Sequence, residues 1–193
     1  MEKADIIHIT DKGKSQLRAL GKVINYRKFR VANIVCSDQT RAIESATELY
    51  KVLSLADRQI EHRLKDVNAP GAYLEGLNMD DWKKQKGNVY DKVRWGKYNH
   101  EEPESVIKRI DEVFWERVKR LKVGQTAILL SHGDPIAWWI NHQVTGKIPQ
   151  ADALRDQIYP NQGQAIVCII DPQGNFFTHY ILTDQSLIMG QSY

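Results

Sequence analysis

Two short polar segments of the sequence could together bind a phosphate group. SHGD (131–134) directly follows the apolar run QTAILL, and SDQTR (37–41) directly follows VANIVC. In the first segment, His132 would lie beside the backbone amides of a helix start, which favour an anion. In the second, the guanidinium of Arg41 could reach the same crevice and hold phosphate through two hydrogen bonds. The residue types therefore predict a phosphate-binding crevice.

Both segments also have a simpler structural interpretation. SHGD is compatible with a polar turn in which Ser131 or Asp134 caps the following helix, and for a lone histidine such as His132 this interpretation is favoured. Arg41 is compatible with a surface arginine at a helix start. The helix dipole slightly disfavours a cation at that place, however, which is an argument that Arg41 has a function.

Other phosphate and metal chemistries lack their sequence patterns. A cysteine phosphatase needs five residues between its Cys and its Arg, whereas four residues separate Cys36 from Arg41 and Cys36 lies within an apolar run. The sequence contains no HExxH, CxxC, GxGxxG or GxxxxGK[ST] pattern, so no metal site and no nucleotide-binding loop is predicted. We therefore expect no metal and no organic cofactor.

The elements that would position these segments alternate along the chain. Helical spacing of apolar residues predicts helices at 10–24 (with Thr10 as N-cap), 40–53, 103–121 and 133–146, and short apolar runs predict strands at 31–37, 58–64, 125–131, 164–171 and 175–182. This order predicts a three-layer α/β fold, a mostly parallel sheet flanked by helices. Ligands of such sheets bind at the carboxyl ends of strands, where both polar segments lie. Residues 66–102, rich in Gly, Asn, Trp and Asp, are expected to form a capping excursion of a single domain, 1–193.

The composition is that of a globular chain with little excess charge. Of 193 residues, 42% are hydrophobic, and the net charge of +3 is too small to argue for nucleic-acid binding. No apolar run approaches the roughly 18 residues of a membrane span, and the N-terminus has no secretory signal pattern. Cys36 and Cys168 lie in apolar runs, as buried thiols of a reducing compartment do. We expect a cytoplasmic protein without a nucleic-acid or membrane partner.

Three segments of the chain resemble the histidine phosphatase superfamily, which has the phosphoglycerate-mutase-like fold. ITDKGKSQLRALG is similar to the family's LTxxGxxQAxxLG, IVCSDQTRAIESA (34–46) to its hxSsxxRAxxTA, and ILLSHGDPI to its hhVSHGxxh. The segments occur in family order and with family-like spacing, within a resemblance that runs from about Thr10 to Leu182. One such motif alone is weak evidence, whereas three motifs in the family's order and spacing identify the chain as a member of the superfamily.

The resemblance implies a phosphomonoester hydrolase or phosphotransferase that acts through a phosphohistidine. The partner would be a phosphorylated small molecule or phosphoprotein, and mutase and phosphatase activity are not distinguished. By position, Arg41 would clamp the phosphate, His132 would be the second histidine, and the Gly133 amide would add a donor. Asp66 would protonate the leaving group, with Glu75 as the alternative acid.

The sequence departs from the family at the segment that carries the nucleophile. The family opens with a central strand that ends in Arg-His-Gly, whose histidine attacks phosphorus, and this tripeptide does not occur here. His8 is a candidate, although its place two residues before Thr10 is more typical of a surface or packing histidine.

Three explanations of this departure stay open. The first, which we favour, is that the sequence is an incomplete record of a longer active protein. The second is a short form in which another segment or subunit fills the empty position in the sheet, and this would favour a homodimer with strand exchange. The third is that the fold is kept and the function has changed. The alternative function is a catalytically inactive, phosphate-binding pseudophosphatase.

Overall fold

The computed structural model describes residues 7–55, 58–67 and 101–184. Its α-helices are α1 (Asp11–Tyr26), α2 (Thr40–Leu53), α3 (Pro103–Val118) and α4 (Gly133–Thr145). Its strands are β1 (Arg30–Cys36), β2 (Arg58–Ile60), β3 (Gln125–Leu130), β4 (Ala165–Ile170) and β5 (Phe176–Leu182). Two short 3₁₀ helices span His62–Leu64 and Ala151–Asp156. The α/β class predicted from the sequence is confirmed.

Helix boundaries follow from the capping residues in the sequence. The Thr10 side chain accepts a hydrogen bond from the Gly13 amide and so begins α1 as predicted. Pro103 occupies the first turn of α3, where its missing amide hydrogen costs nothing. Gly146 ends α4 in the left-handed conformation with φ of 68°, which a residue with a side chain rarely adopts.

The parallel sheet brings three polar segments to one edge. Its strand order is β2-β1-β3, and in its register Cys36 lies beside both Ile60 and Leu130. The carboxyl ends of the three strands are therefore level. As a result, the segments that directly follow them, 37–41, 61–66 and 131–134, begin at the same edge. The sequence predicted this arrangement for 37–41 and 131–134.

Strands β4 and β5 form an antiparallel hairpin that lies in the same layer as the parallel sheet. Ile166 of β4 packs with Leu129 of β3 against one apolar cluster, and Val167 packs with Ile128 against the other. The hairpin and the sheet thus share both cores. Within residues 7–55, 58–67 and 101–184, however, β3 pairs only with β1, and β4 pairs only with β5.

Two apolar cores hold the helices on opposite faces of this layer. One core contains buried side chains of α1 and α2, such as Leu20 and Leu49. The other contains buried side chains of α3 and α4, such as Val106 and Trp138. Because both faces are covered, residues 34–36 of β1 and 127–130 of β3 form continuous apolar runs, as parallel strands in α/β proteins do.

The structure differs from the predicted elements at one strand and adds one turn. Of the expected strand 58–64, only Arg58–Ile60 is extended, because the Glu61 side chain accepts a hydrogen bond from the Arg63 amide and caps a 3₁₀ helix there. The turn at Ala151–Asp156 was not predicted. Most of the proposed capping excursion lies outside the described residues. No helix in the described part of the chain is long and apolar enough to cross a membrane.

Candidate active site

The carboxyl edge of the sheet gathers Arg41, His132, Ser37 and Asp66 into one hydrogen-bonded cluster, called the Arg41 cluster below. Arg41 Nε donates to His132 Nδ1 at 3.2 Å, and Arg41 Nη2 donates to Asp66 Oδ2 at 2.8 Å. On its other side, the His132 ring contacts the Ser37 hydroxyl, with 3.1 Å between Nε2 and Oγ. The fold thus brings together the three residues that the sequence proposed as clamp, second histidine and acid.

The first turn of α2 directs Arg41 into this cluster. Gln39 is the N-cap residue of α2, but its side chain makes no capping bond; its Oε1 instead accepts from Arg41 Nη2 at 2.8 Å. The buried hydroxyl of Ser37 accepts from the Gln39 amide at 3.3 Å and so helps to satisfy the helix start. The guanidinium is therefore oriented by hydrogen bonds and does not extend freely over the surface.

His132 is a neutral imidazole of defined orientation. Because a guanidinium can only donate, the bond from Arg41 makes Nδ1 an acceptor and leaves the ring proton on Nε2, facing Ser37 Oγ. The side chain is 7% exposed, and burial lowers the pKa of His132 to about 3, with the cations Arg41 and Arg109 acting in the same direction. Although Asp66 Oδ2 lies 3.7 Å from Nδ1, the neutral ring forms no ion pair with it.

Asp66 follows the short 3₁₀ helix and joins two partners. Its Oδ2 accepts from Arg41, while its Oδ1 accepts from the Val67 amide at 2.9 Å. The carboxylate is partly exposed, so the ion pair with Arg41 is open to solvent on one side. A carboxylate in this place can exchange a proton with a group bound at Arg41.

Gly133 begins α4 and lets another loop approach closely. A Cβ at this position would overlap the hydroxyl of Tyr159, which donates to Asp134 Oδ1 at 2.6 Å. Burial and the Asp134 carboxylate raise the pKa of Tyr159, so this hydroxyl remains a donor. The Gly133 amide belongs to the first turn of the helix and has no acceptor within it.

The side chains of SHGD make contacts that the capping interpretation did not predict. His132 is the N-cap residue of α4, and its side chain makes no capping hydrogen bond. Ser131 Oγ donates to the Leu64 carbonyl oxygen at 2.7 Å, and Asp134 binds Tyr159. The segment therefore joins α4 to two neighbouring loops.

The two remaining candidates are not part of the Arg41 cluster as described. His8 is 66% exposed, and its Nδ1 lies 2.6 Å from Oε1 of Glu44, whose Oε2 also accepts from the Ile9 amide. None of its hydrogen bonds reaches Arg41 or His132. Glu75 lies outside the described residues.

One arginine near the site was missed by the sequence analysis. Arg109 of α3 donates to the backbone carbonyl oxygen of Asp66 at 3.2 Å. A signal existed: Arg109 lies three residues after Val106 and four before Val113, both fully buried, so the helical spacing places a charge beside an apolar stripe. A charge in such a place needs a partner, and here the partner is the segment that carries Asp66.

The cluster has the chemistry of a site for an oxyanion. It offers a cation, a neutral imidazole with its N–H, and a helix start, which are the groups that bind phosphoryl oxygens. Among the described residues, no three His, Cys, Asp or Glu side chains are grouped so that they could hold a metal ion. The chemistry available from these residues is therefore anion binding and proton transfer.

Comparison with known proteins gives one family model and several solved structures. Residues 3–180 match the model of the histidine phosphatase superfamily (branch 1). A putative alpha-ribazole-5'-P phosphatase from Escherichia coli is similar over 91% of this chain and 84% of its own, with 20% identity and a TM-score of 0.62. A mycobacterial glucosyl-3-phosphoglycerate phosphatase is similar over 91% and 86%, with 15% identity and a TM-score of 0.63.

A third solved structure, the protein histidine phosphatase SixA complexed with tungstate, is similar over 97% of this chain and 90% of its own. Its identity is 12% and its TM-score is 0.59. At these identities the solved structures show a shared fold. No curated protein matches the sequence significantly.

Proposed function

The chain belongs to the histidine phosphatase superfamily, and from this premise we propose that it is a phosphomonoester hydrolase whose phosphoryl site is the Arg41 cluster. The observation that carries the proposal is the 3.2 Å contact between Arg41 Nε and His132 Nδ1, which joins residues 91 positions apart at the carboxyl edge of the sheet. An arginine and a buried neutral histidine at this edge are suited to binding a phosphoryl group of a small molecule or phosphoprotein.

Each group in the cluster has a distinct part in binding the phosphoryl group. Arg41 supplies positive charge and donors in a fixed planar arrangement, which match phosphoryl oxygens better than an ammonium does. His132 places its neutral ring beside the phosphoryl group, and the Gly133 amide offers another donor at the start of α4. These donors stabilise the charge that the equatorial oxygens carry in the transition state.

Asp66 has the role of general acid and base. A histidine nitrogen attacks phosphorus while the bond to the ester oxygen breaks, and that oxygen takes the proton of Asp66. Water then attacks the phosphohistidine, the P–N bond breaks, and the Asp66 carboxylate takes the proton of the water. The superfamily's Arg-His-Gly tripeptide is not in this sequence, so His8 is the candidate nucleophile within the 193 residues.

A second candidate function is phosphate binding without hydrolysis. It is favoured by the state of His132, whose Nδ1 lone pair accepts from Arg41 and whose Nε2 carries the proton, so neither nitrogen can attack phosphorus. It is also favoured by His8, which contacts Glu44. Such a protein would recognise a phosphorylated partner through Arg41 and His132.

The test is hydrolysis of p-nitrophenyl phosphate by the wild type and by the Arg41→Ala and His132→Ala variants. We expect turnover to fall about 10²-fold or more in each, as it does when one transition-state donor is removed. Arg18→Ala is the matched arginine control, because Arg18 pairs with Glu48 on α1 and α2. His179→Ala, on β5, is the histidine control.

Turnover that survives in both site variants would refute the proposal. Turnover that is lost in His8→Ala while inorganic phosphate still binds would identify His8 as the nucleophile. If the wild type binds inorganic phosphate through Arg41 and hydrolyses nothing, the second function is the correct one.

A further inference from the structure

We propose that Arg109 is a positioning residue that holds the Asp66 carboxylate against Arg41. This inference rests on the proposed function, in which Arg41 clamps the phosphoryl group and Asp66 transfers the proton. Arg109 itself does not contact Arg41 or His132 through any described hydrogen bond. Apart from the effect of its charge on His132, its influence therefore passes through the backbone of the segment that carries Asp66.

All five N–H groups of the Arg109 guanidinium are used. Nη1 donates to the carbonyl oxygens of Arg63 at 2.6 Å and Lys65 at 2.8 Å. Nη2 donates to the carbonyl oxygen of Asp66 at 3.2 Å and to Glu101 Oε2 at 3.0 Å. Nε donates to Glu101 Oε1 at 2.7 Å. Since a guanidinium has five such donors, none is left for another partner.

These bonds fix the backbone on both sides of Asp66. Three carbonyl oxygens of the segment 63–66 converge on one planar group, which is 11% exposed, and Glu101 fixes that group from the other side. Leu64 is fully buried in the middle of the segment, and its carbonyl oxygen accepts from Ser131. With the backbone held in this way, Asp66 can leave Arg41 only by rotating its own side chain.

As a consequence, the Asp66 carboxylate competes with a bound phosphoryl group for Arg41. Asp66 Oδ2 accepts from Arg41 Nη2, a nitrogen that a phosphoryl oxygen would also use. Arg109 thus keeps a carboxylate near the phosphoryl group: it weakens binding of inorganic phosphate by repulsion, and it keeps the acid within reach of the ester oxygen. Releasing segment 63–66 from Arg109 should strengthen the binding of inorganic phosphate and impair proton transfer to the ester oxygen.

The binding experiment is calorimetric titration of inorganic phosphate into the wild type, Asp66→Asn, Arg109→Lys and the double variant. Removing the carboxylate charge should tighten binding about fivefold to tenfold, the effect of about 1 kcal/mol of repulsion at a partly exposed site. A lysine cannot reach three carbonyls and a carboxylate at once, so Arg109→Lys should tighten binding in the same direction. The double variant should bind no more tightly than Asp66→Asn.

Arg117→Lys is the matched control. Arg117 lies two turns later on α3, is also 11% exposed and lies near Glu61, away from Asp66. We expect it to bind phosphate as the wild type does. If Arg109→Lys fails to fold, Glu101→Gln weakens the same clamp from the other side and should tighten binding likewise.

A purely structural role would give a different pattern. If phosphate affinity in Arg109→Lys is unchanged or lower, or if its effect adds to that of Asp66→Asn, the inference is overturned. If the wild type shows no phosphate binding that depends on Arg41, the proposed function fails, and this inference fails with it. The two failures are therefore distinguishable.

Turnover supplies a second readout. p-Nitrophenolate leaves without a proton, whereas an alkyl alkoxide needs one, so kcat/KM on glycerol 2-phosphate, which reports the steps up to release of the alcohol, should fall about tenfold or more in Arg109→Lys and in Asp66→Asn. The kcat/KM on p-nitrophenyl phosphate should not fall, because hydrolysis of the phosphohistidine, in which Asp66 acts as base, comes after release of the leaving group. Equal losses on both substrates would contradict the positioning role.

Discussion

Acid should destabilise the protein through His132, and the size of this effect can be worked out from the burial of the ring. The side chain is 7% exposed, and its pKa is lowered to about 3 in the folded protein. In the unfolded chain, a histidine titrates near about 6.5. Between these two values the unfolded chain binds a proton that the folded protein does not bind.

The sign and magnitude follow from this difference. The stabilisation is complete above the unfolded pKa and is lost as the pH falls below it, with a slope of about 1.4 kcal/mol per pH unit. From pH 7.5 to pH 5.0 the loss amounts to about 2 kcal/mol, provided that the folded pKa lies well below 5. Carboxylates with lowered pKa, such as that of Glu61, lose most of their contribution at lower pH, because unfolded carboxyl groups titrate near about 4.3.

The assay is urea unfolding, followed by tryptophan fluorescence, at pH 7.5 and pH 5.0 in buffers without phosphate. The wild type should lose about 2 kcal/mol more of its free energy of unfolding than His132→Gln, whose side chain does not titrate. Ile110→Val is the control, since it weakens the buried core by about 1 kcal/mol and keeps the histidine, so it should retain the wild-type pH dependence. Equal losses in the wild type and His132→Gln would refute the buried, neutral histidine.

Two substitutions test how the elements around the site are held. Gly133→Ala should lower the free energy of unfolding by about 1–3 kcal/mol, because the new Cβ would overlap the Tyr159 hydroxyl. Adding Tyr159→Phe to this variant should recover part of the loss. No recovery would contradict the contact. Thr10→Ala should lower the free energy of unfolding, measured in urea, by about 1 kcal/mol because α1 loses its cap, whereas Thr10→Ser should keep the wild-type stability. An unchanged stability in Thr10→Ala would show that the cap contributes nothing.

The sequence predicted most helices and strands, and the contact of Arg41 with His132, because these features follow from local residue patterns and from the order of the elements. Helix α2 begins and ends where the spacing of Ile43, Ala46 and Leu49 indicated, since one apolar face of a helix is visible in sequence. The meeting of Arg41 and His132 followed from the level carboxyl ends of parallel strands.

Contacts between distant side chains and backbone could not be predicted in this way. Arg109 binds carbonyl oxygens of Arg63 and Asp66, more than 40 positions away, and carbonyl groups leave no trace in residue types. Asp134 was expected to cap α4, and the hydrogen bond that it accepts from Tyr159, 25 positions later, could not be predicted from the sequence. Such pairings depend on which loops the fold places side by side.

A crystal structure of the protein with inorganic phosphate tests the central claim most directly. The account predicts a phosphate ion at the carboxyl edge of the sheet, within about 3 Å of the Arg41 guanidinium and in contact with the His132 ring. It also predicts that Asp66 Oδ2 has moved away from Arg41 Nη2. Phosphate bound elsewhere, or an Arg41 cluster unchanged at a phosphate concentration that saturates the protein in solution, would contradict the account.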